Sequence, residues 1–147
     1  MSHTAIITFR NEGDEPVCCV CKHGSGYIDG LGHSLAKWLK RMTILNGMWS
    51  EEQHREHDYA NGIGCLAAKW IADNKTETGV ICMCASDRRE AYNYDIILHR
   101  YRMRLLDMSG TKADDCITIT VLNKKGNLIF SGSPSELLEF EEAVPDD

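Results

Sequence analysis

Residues 22 to 35 read KHGSGYIDGLGHSL, with glycines at 24, 26, 30 and 32 around Tyr27. A glycine-lined approach to a helix can offer unpaired backbone N–H groups to a phosphate. The spacing, however, fits neither GxGxxG nor GxxxxGK followed by Ser or Thr. Asp29 also sets a negative charge where an anion would sit. The segment reads first as a turn into a helix, with Lys22 as the cation for any anion held beside it.

The cysteines are the next groups with chemistry. There are seven, an odd count that a closed disulfide framework would leave incomplete. Cys18, Cys19 and Cys21, and again Cys82 and Cys84, lie in alternating apolar runs, where free cysteine packs as a small hydrophobe. A zinc set of Cys18, Cys21 and His23 lacks the second well-spaced ligand pair that structural sites favour, so no metal is expected. His54 and His57 sit in HREH, which has neither the HExxH nor the HxxEH spacing. His23, His33 and Asp29 are the groups from which an enzyme would assemble an acid, a base and an orienter. The histidines are scattered, and neither a catalytic residue nor a cofactor is expected.

Charge narrows the partners. The net charge of −6 argues against long nucleic acid, which needs a basic surface to release counterions. Bases cluster locally, at Lys37, Lys40 and Arg41, at Arg88 and Arg89, and at His99, Arg100, Arg102 and Arg104, while acids crowd the C-terminal end. Such clusters suit a small anionic ligand, or they are solvated faces. Ala5 to Phe9, the longest nearly apolar run, is far below the ~20 residues of a membrane helix. Met-Ser-His-Thr does not open a secretory signal, so a soluble, cytoplasmic protein without a membrane partner is expected.

Periodicity gives the secondary structure around these groups. TAIITFR (4–10) and PVCCVCK (16–22) predict two strands joined through NEGDE as a hairpin. Leu31, Leu35, Trp38, Leu39, Met42 and Leu45 predict a first helix ending near Asn46-Gly47. The polar stretch 48–59 predicts a loop or short helical turn. Ile63, Leu66, Ala67, Trp70 and Ile71 predict a second helix from Asn61, whose Gly62 and Gly64 suggest close backbone approach. GVICMCA, AYNYDIILH, YRMRLLDM, CITITVLN and LIFSG predict further strands, the last two forming a hairpin. SPSELLEFEE predicts a closing helix with Ser133 as N-cap, Pro134 at its first position and Glu136 completing a capping box. The expected architecture is one α+β domain over 1–147. It has a mostly antiparallel sheet of about seven strands, two main helices on one face, a short C-terminal helix and an acidic tail at 143–147.

Four stretches taken in order, KHGSGYIDGLGHSLAKWL, NGIGCLAAKWIA, GVICMCA and EAYNYDIIL, resemble the first-described Thoeris anti-defence family of phage proteins. The resemblance covers residues 17–98 and leaves 99–142 outside it. Gly26, Tyr27, Gly30, Gly32, Leu35 and Ala36 match the first motif. Asn61, Gly62, Gly64, Leu66, Ala67 and Ala68 match the second, and Tyr92 and Tyr94 a later one. Ser25, Ile28 and Lys22 stand where the family pattern has Asp, Pro and Arg.

The resemblance implies sequestration of cyclic ADP-ribose isomers without cleavage, blocking Thoeris immunity in the cytoplasm of the infected bacterium. It also implies a separate site, in some members, for cyclic di- or trinucleotides, which would extend the block to CBASS, and a homodimer that assembles to a hexamer. Such a ligand needs an aromatic surface, cations for pyrophosphate and polar groups for ribose. The candidates are Tyr27, Tyr92 and Tyr94, then Lys22, Arg88, Arg89, Arg100 and Arg102, then Asn61 and Asn93. The main pocket is expected near Arg88, Arg89 and the Tyr92/Tyr94 strand, completed by a partner subunit. The strand tyrosines are equally accounted for by core packing. Two other classes compete with the sponge: an enzyme degrading a cyclic nucleotide, and a protein-interaction module.

Overall fold

The computed structural model of the chain describes residues 3–47, 49–104 and 108–142. The first two alternating segments form β1 (Ala5–Asn11) and β2 (Cys18–Lys22), an antiparallel hairpin as expected. A π-helical turn, Ile28–Gly32, then runs directly into α1 (His33–Lys40), which buries Leu35, Ala36, Trp38 and Leu39.

Here the structure departs from the periodicity. Thr43–Leu45 is not the end of the first helix but a strand, β3. Met42 and Leu45 keep the helical spacing, yet Thr43 and Ile44 are β-branched and favour an extended backbone. Two partners then decide the matter: β4 (Tyr59–Asn61) pairs parallel to β3, and β7 (Thr111–Lys112) pairs antiparallel.

Between β3 and β4 lies α2 (Glu51–Arg55), begun by a capping box of Ser50 and Gln53. The second expected helix is α3 (Gly62–Asn74), with Ile63, Leu66, Ala67 and Trp70 buried. Its two glycines do not mark close approach. Gly62 has φ +83°, the conformation that turns β4 into the helix, and a Cβ on Gly64 would meet no atom within 4 Å.

The chain continues through β5 (Ile81–Met83) and β6 (Tyr92–Leu98). The expected strand YRMRLLDM is instead a single 3-10 turn at Arg100–Arg102, where the N–H of Arg102 bonds the carbonyl of His99 (2.9 Å). Residues 105–107 of that segment, like the acidic tail 143–147, lie outside the described residues. A short α4 (Ala113–Cys116) leads into the hairpin of β8 (Ile117–Asn123) and β9 (Leu128–Gly132). α5 (Pro134–Glu139) closes the fold with the expected capping box of Ser133 and Glu136.

The architecture is α+β, but the sheet differs from the expected one. Among the described residues there are two sheets: six strands in the order β5-β2-β1-β6-β8-β9, and three in the order β4-β3-β7. Both are mixed, because β1 pairs parallel to β6 and β3 parallel to β4. Parallel neighbours need a crossover rather than a turn, and no local signal announces one.

Alternation along the central strands gives the large sheet two unlike faces. Ala5, Ile7 and Phe9, with Tyr94, Ile96 and Leu98, join the buried side chains of α1, α3 and α5 in one core cluster. Trp38 of α1 donates its Nε1–H to Asp73 of α3 (2.7 Å), and His57 bridges the same carboxylate to Asp58. The opposite, outer face carries Thr8, Arg10, Asn93, Asp95, Thr118 and Thr120. No helix among the described residues is long and apolar enough to cross a membrane.

The glycines give a direct check of this packing. A Cβ on Gly26 would stand 2.6 Å from the His3 carbonyl oxygen and 2.9 Å from the Ala5 Cβ, against a strand that cannot give way. Gly26→Ala should therefore destabilise the chain by ~1–3 kcal/mol, the usual effect of overpacking. Gly64→Ala should stabilise it by ~0.5–1 kcal/mol, the helix-interior difference between the two residues. Chemical denaturation of both variants reads the two signs; a stable Gly26→Ala would contradict the packing.

Candidate functional site: a cleft on the outer sheet face

Four backbone donors of the glycine segment have acceptors within the turn or on the chain just before β1. The N–H groups of Gly30 and Gly32 point to the Tyr27 carbonyl (3.1 and 3.4 Å), that of Leu31 to Ser25 (2.9 Å), and that of Gly26 to His3 (2.8 Å). Lys22 Nζ braces the same turn by donating to the Gly24 carbonyl (2.9 Å). The N–H groups of Gly26, Gly30, Leu31 and Gly32 are thus committed to closing the turn that leads into α1.

The three candidate tyrosines do meet, but on the helix-covered side of the sheet. Tyr92 and Tyr94 stack with centroids 6.4 Å apart, and the His3 ring stands edge-on to Tyr92 (5.7 Å) and Tyr27 (6.3 Å). Tyr94 is 1% exposed, and its hydroxyl donates to the Gly26 carbonyl at 2.7 Å. Burial pushes its pKa well above the ordinary tyrosine value. Tyr92 donates to the Glu142 carboxylate (2.8 and 3.0 Å), and burial together with that carboxylate pushes its pKa up to about 12. Tyr94 is thus a core residue that ties β6 to the glycine turn, and Tyr92 ties the same strand to the end of the chain.

The cationic candidates are dispersed. Arg88 is exposed and forks onto Glu90 through Nε and Nη2 (3.1 and 2.8 Å). Arg100 and Arg102 stand beyond the far end of β6, where the Arg102 guanidinium lies 5.5 Å from the Tyr101 ring centre. Asn61 belongs to the smaller sheet, and its Oδ1 accepts the Gly47 N–H (2.8 Å). Only Arg89 reaches a cleft on the outer face.

That cleft, of about 390 Å³, is floored by Thr8, Arg10, Asn93, Tyr94, Asp95 and Leu122 and walled by Gly13, Asp14, Glu15, Pro16, Ser86 and Arg89. Its size falls within the usual range for a small-ligand site. Arg10 directs Nε to both oxygens of Asp95 (3.1 and 3.0 Å). A guanidinium has five N–H donors, so this pairing leaves the Nη groups for other acceptors. Burial raises the Asp95 pKa, opposed by the hydrogen bond and charge of Arg10.

Asn93 is a clamp rather than a ligand group. Its Nδ2 donates to the carbonyls of Glu90, Leu122 and Asn123 (2.9, 3.3 and 3.3 Å), while Oδ1 accepts the Glu90 N–H (3.1 Å). It fixes the loop bearing Arg89 against β8. Arg10 and Asp95 are the charged pair of this cleft that sequence reasoning missed. The signal was present as charges at outward positions of two otherwise apolar strands, but only the register shows that they meet.

A larger groove of about 720 Å³ runs along α1 past His33, Lys37, Lys40 and Arg41 to Asn74. It starts at Asp29 and Gly30 of the glycine turn and follows the whole of α1, and its cations Lys37, Lys40 and Arg41 are exposed on the helix surface. We therefore place the candidate site in the smaller cleft, whose charges are held against the sheet.

Of the groups considered for catalysis, Asp29 and His33 line the larger groove together and His23 is not part of that lining. His33 Nε2 meets the Phe140 carbonyl (2.9 Å), and His23 Nε2 lies 3.8 Å from Cys21 Sγ. Cys18 and Cys21, three residues apart on β2, point to opposite faces. No three His, Cys, Asp or Glu side chains converge as a metal site among the described residues. A different relay exists: buried His99 contacts the Glu12 carboxylate through Nδ1 and Thr118 Oγ1 through Nε2 (2.7 Å). None of its three members lines the cleft.

Comparison of the chain with protein-family models, curated proteins and solved structures gave no match. The site therefore rests on its own geometry.

Because Tyr94 serves the core, Tyr94→Phe should destabilise the fold by ~1–3 kcal/mol, leaving the buried Gly26 carbonyl without its donor. The same variant should bind any ligand of the outer cleft as the parent does. A denaturation curve and a ligand titration test this together, and lost affinity in a stably folded Tyr94→Phe would return the tyrosine to the site.

Proposed function

We propose that the chain binds and sequesters a cyclic ADP-ribose-type nucleotide in the outer cleft without cleaving it, acting as an anti-defence sponge in the cytoplasm of an infected bacterium. The observation that carries this reading is the convergence of Arg10 and Arg89 on one cleft with the hydroxyls of Thr8 and Ser86, beside the carboxylates of Asp14, Glu15 and Asp95. Guanidinium groups match pyrophosphate oxygens in geometry and charge, and hydroxyl and carboxylate groups suit ribose. The order of the motifs in residues 17–98 points to the same ligand class.

Tyr94 borders the cleft, but its ring is buried on the helix-covered side with its hydroxyl on Gly26, so it offers adenine no aromatic surface there. A second protomer supplies it in this proposal, and the dimer, with hexamers built from it, is part of the same reading. A cyclic di- or trinucleotide at a separate site belongs to that reading as well. The cleft lining contains neither histidine nor cysteine, which favours holding over turnover. The Thr118–His99–Glu12 relay is the observation that favours an enzyme instead.

One assay separates these readings. The protein is loaded with a cyclic ADP-ribose isomer, freed of excess ligand and heat-denatured. The sponge returns the ligand intact, an enzyme returns an altered product, and a protein-interaction module takes up none.

Point variants test the location. Arg10→Ala and Arg89→Ala should each weaken binding by about 1.5–3 kcal/mol, roughly ten- to hundredfold, the effect of one charge-assisted hydrogen bond. Arg88→Ala should bind as the parent does, because Arg88 is committed to Glu90 outside the cleft. Full affinity in both cleft variants together with loss in Lys22→Ala would move the site to the glycine turn.

A further inference from the structure

The register of β2 against β5 gathers side chains that the nucleotide reading leaves unused, so a site built from them stands or falls independently of that ligand. Cys21 lies directly opposite Cys82. The bond from the Cys84 N–H to the Cys19 carbonyl (3.1 Å) continues the pairing, which sets Cys19 opposite Cys84. Residues two apart on a strand share a face. Cys19 and Cys21, with His23 just past the strand end, therefore stand on the same outer face as Cys82 and Cys84. The four cysteines are free thiols. His23 Nε2 is already 3.8 Å from Cys21 Sγ, and Cys82 is exposed, so the pair is open to solvent from one side.

This geometry suits an ion of low coordination number. Facing residues on antiparallel strands have Cβ atoms about 4.5–5.5 Å apart. Two thiolates bonded to one ion at about 2.3 Å stand at most about 4.6 Å from each other, so facing cysteines can share an ion without backbone movement. A tetrahedral zinc site would need four converging ligands, and no three converge here among the described residues. Soft thiolates in low number select a soft monovalent ion.

We propose that the facing pair Cys21 and Cys82 forms a two-coordinate binding site for one soft monovalent cation of the copper(I) class. Each thiol gives up its proton on binding, so that one cation and two thiols yield a bis-thiolate complex of charge −1 and two protons. The counter-charge is at hand. Burial disfavours the Cys21 and Cys84 thiolates, the nearby Arg88 guanidinium favours both, and the Glu90 carboxylate paired with it opposes that at Cys21.

The test is an anaerobic titration of the fully reduced chain into the coloured copper(I) complex of bathocuproine disulfonate, with native mass spectrometry of the product. The site should take a first equivalent of copper(I) from the chelator, seen as loss of colour and a metal-bearing chain. Cys82→Ser and Cys21→Ser should each weaken this transfer at least tenfold. Cys65→Ser, on α3, should leave it unchanged, and zinc(II) offered from a chelator should not be retained. No transfer, transfer unchanged in Cys82→Ser, or zinc held as tightly as copper(I) would each overturn the proposal. Cys82 is exposed, so its serine variant decides the matter even if Cys21→Ser fails to fold.

Discussion

The parallel pairing of β1 with β6 sets both faces of the large sheet at once. In its register Ile7 lies beside Tyr94 and Phe9 beside Ile96, while Thr8 lies beside Asp95. The first set packs against α1, α3 and α5, and the second opens to the outer face. Because the side-chain period is two, a slip of one residue would send Arg10 and Asp95 into the core and the apolar set to water. Core and cleft are thus two consequences of one register. The Tyr94 hydroxyl on the Gly26 carbonyl ties that register to the turn that launches α1.

Much of the fold was legible because it is specified locally. The β1–β2 and β8–β9 hairpins have turn residues between alternating runs, α3 has its full apolar stripe, and α5 has Ser133, Pro134 and Glu136 in capping order. What was not legible depends on distant partners. Thr43–Leu45 carries on the apolar spacing of α1, and only pairing with β4 and β7 makes it a strand. The parallel pair at the centre of the large sheet likewise joins segments separated by about half the chain, with no turn to announce it.

The site divides along the same line. Arg89 was visible as a base beside a strand, and the structure places it on the cleft. Arg88, adjacent in sequence and alike in type, is committed to Glu90, a distinction that residue type does not encode. The candidate tyrosines lie on the buried face, where Tyr94 bonds the glycine turn and Tyr92 the end of the chain. Arg10 and the facing cysteines carry chemistry through cross-strand neighbours, and a sequence without a register does not display neighbours.

In the proposed function the polar outer face, rather than the glycine turn, holds the ligand. Hydrogen–deuterium exchange of the full chain with and without a saturating cyclic ADP-ribose isomer tells the two locations apart, since amides in contact with ligand are slowed wherever it binds. New protection is expected in residues 13–16, 86–89 and 93–95, with residues 24–32 and α1 unchanged. Protection confined to residues 24–41, with the outer face exchanging as in the free protein, would contradict that placement.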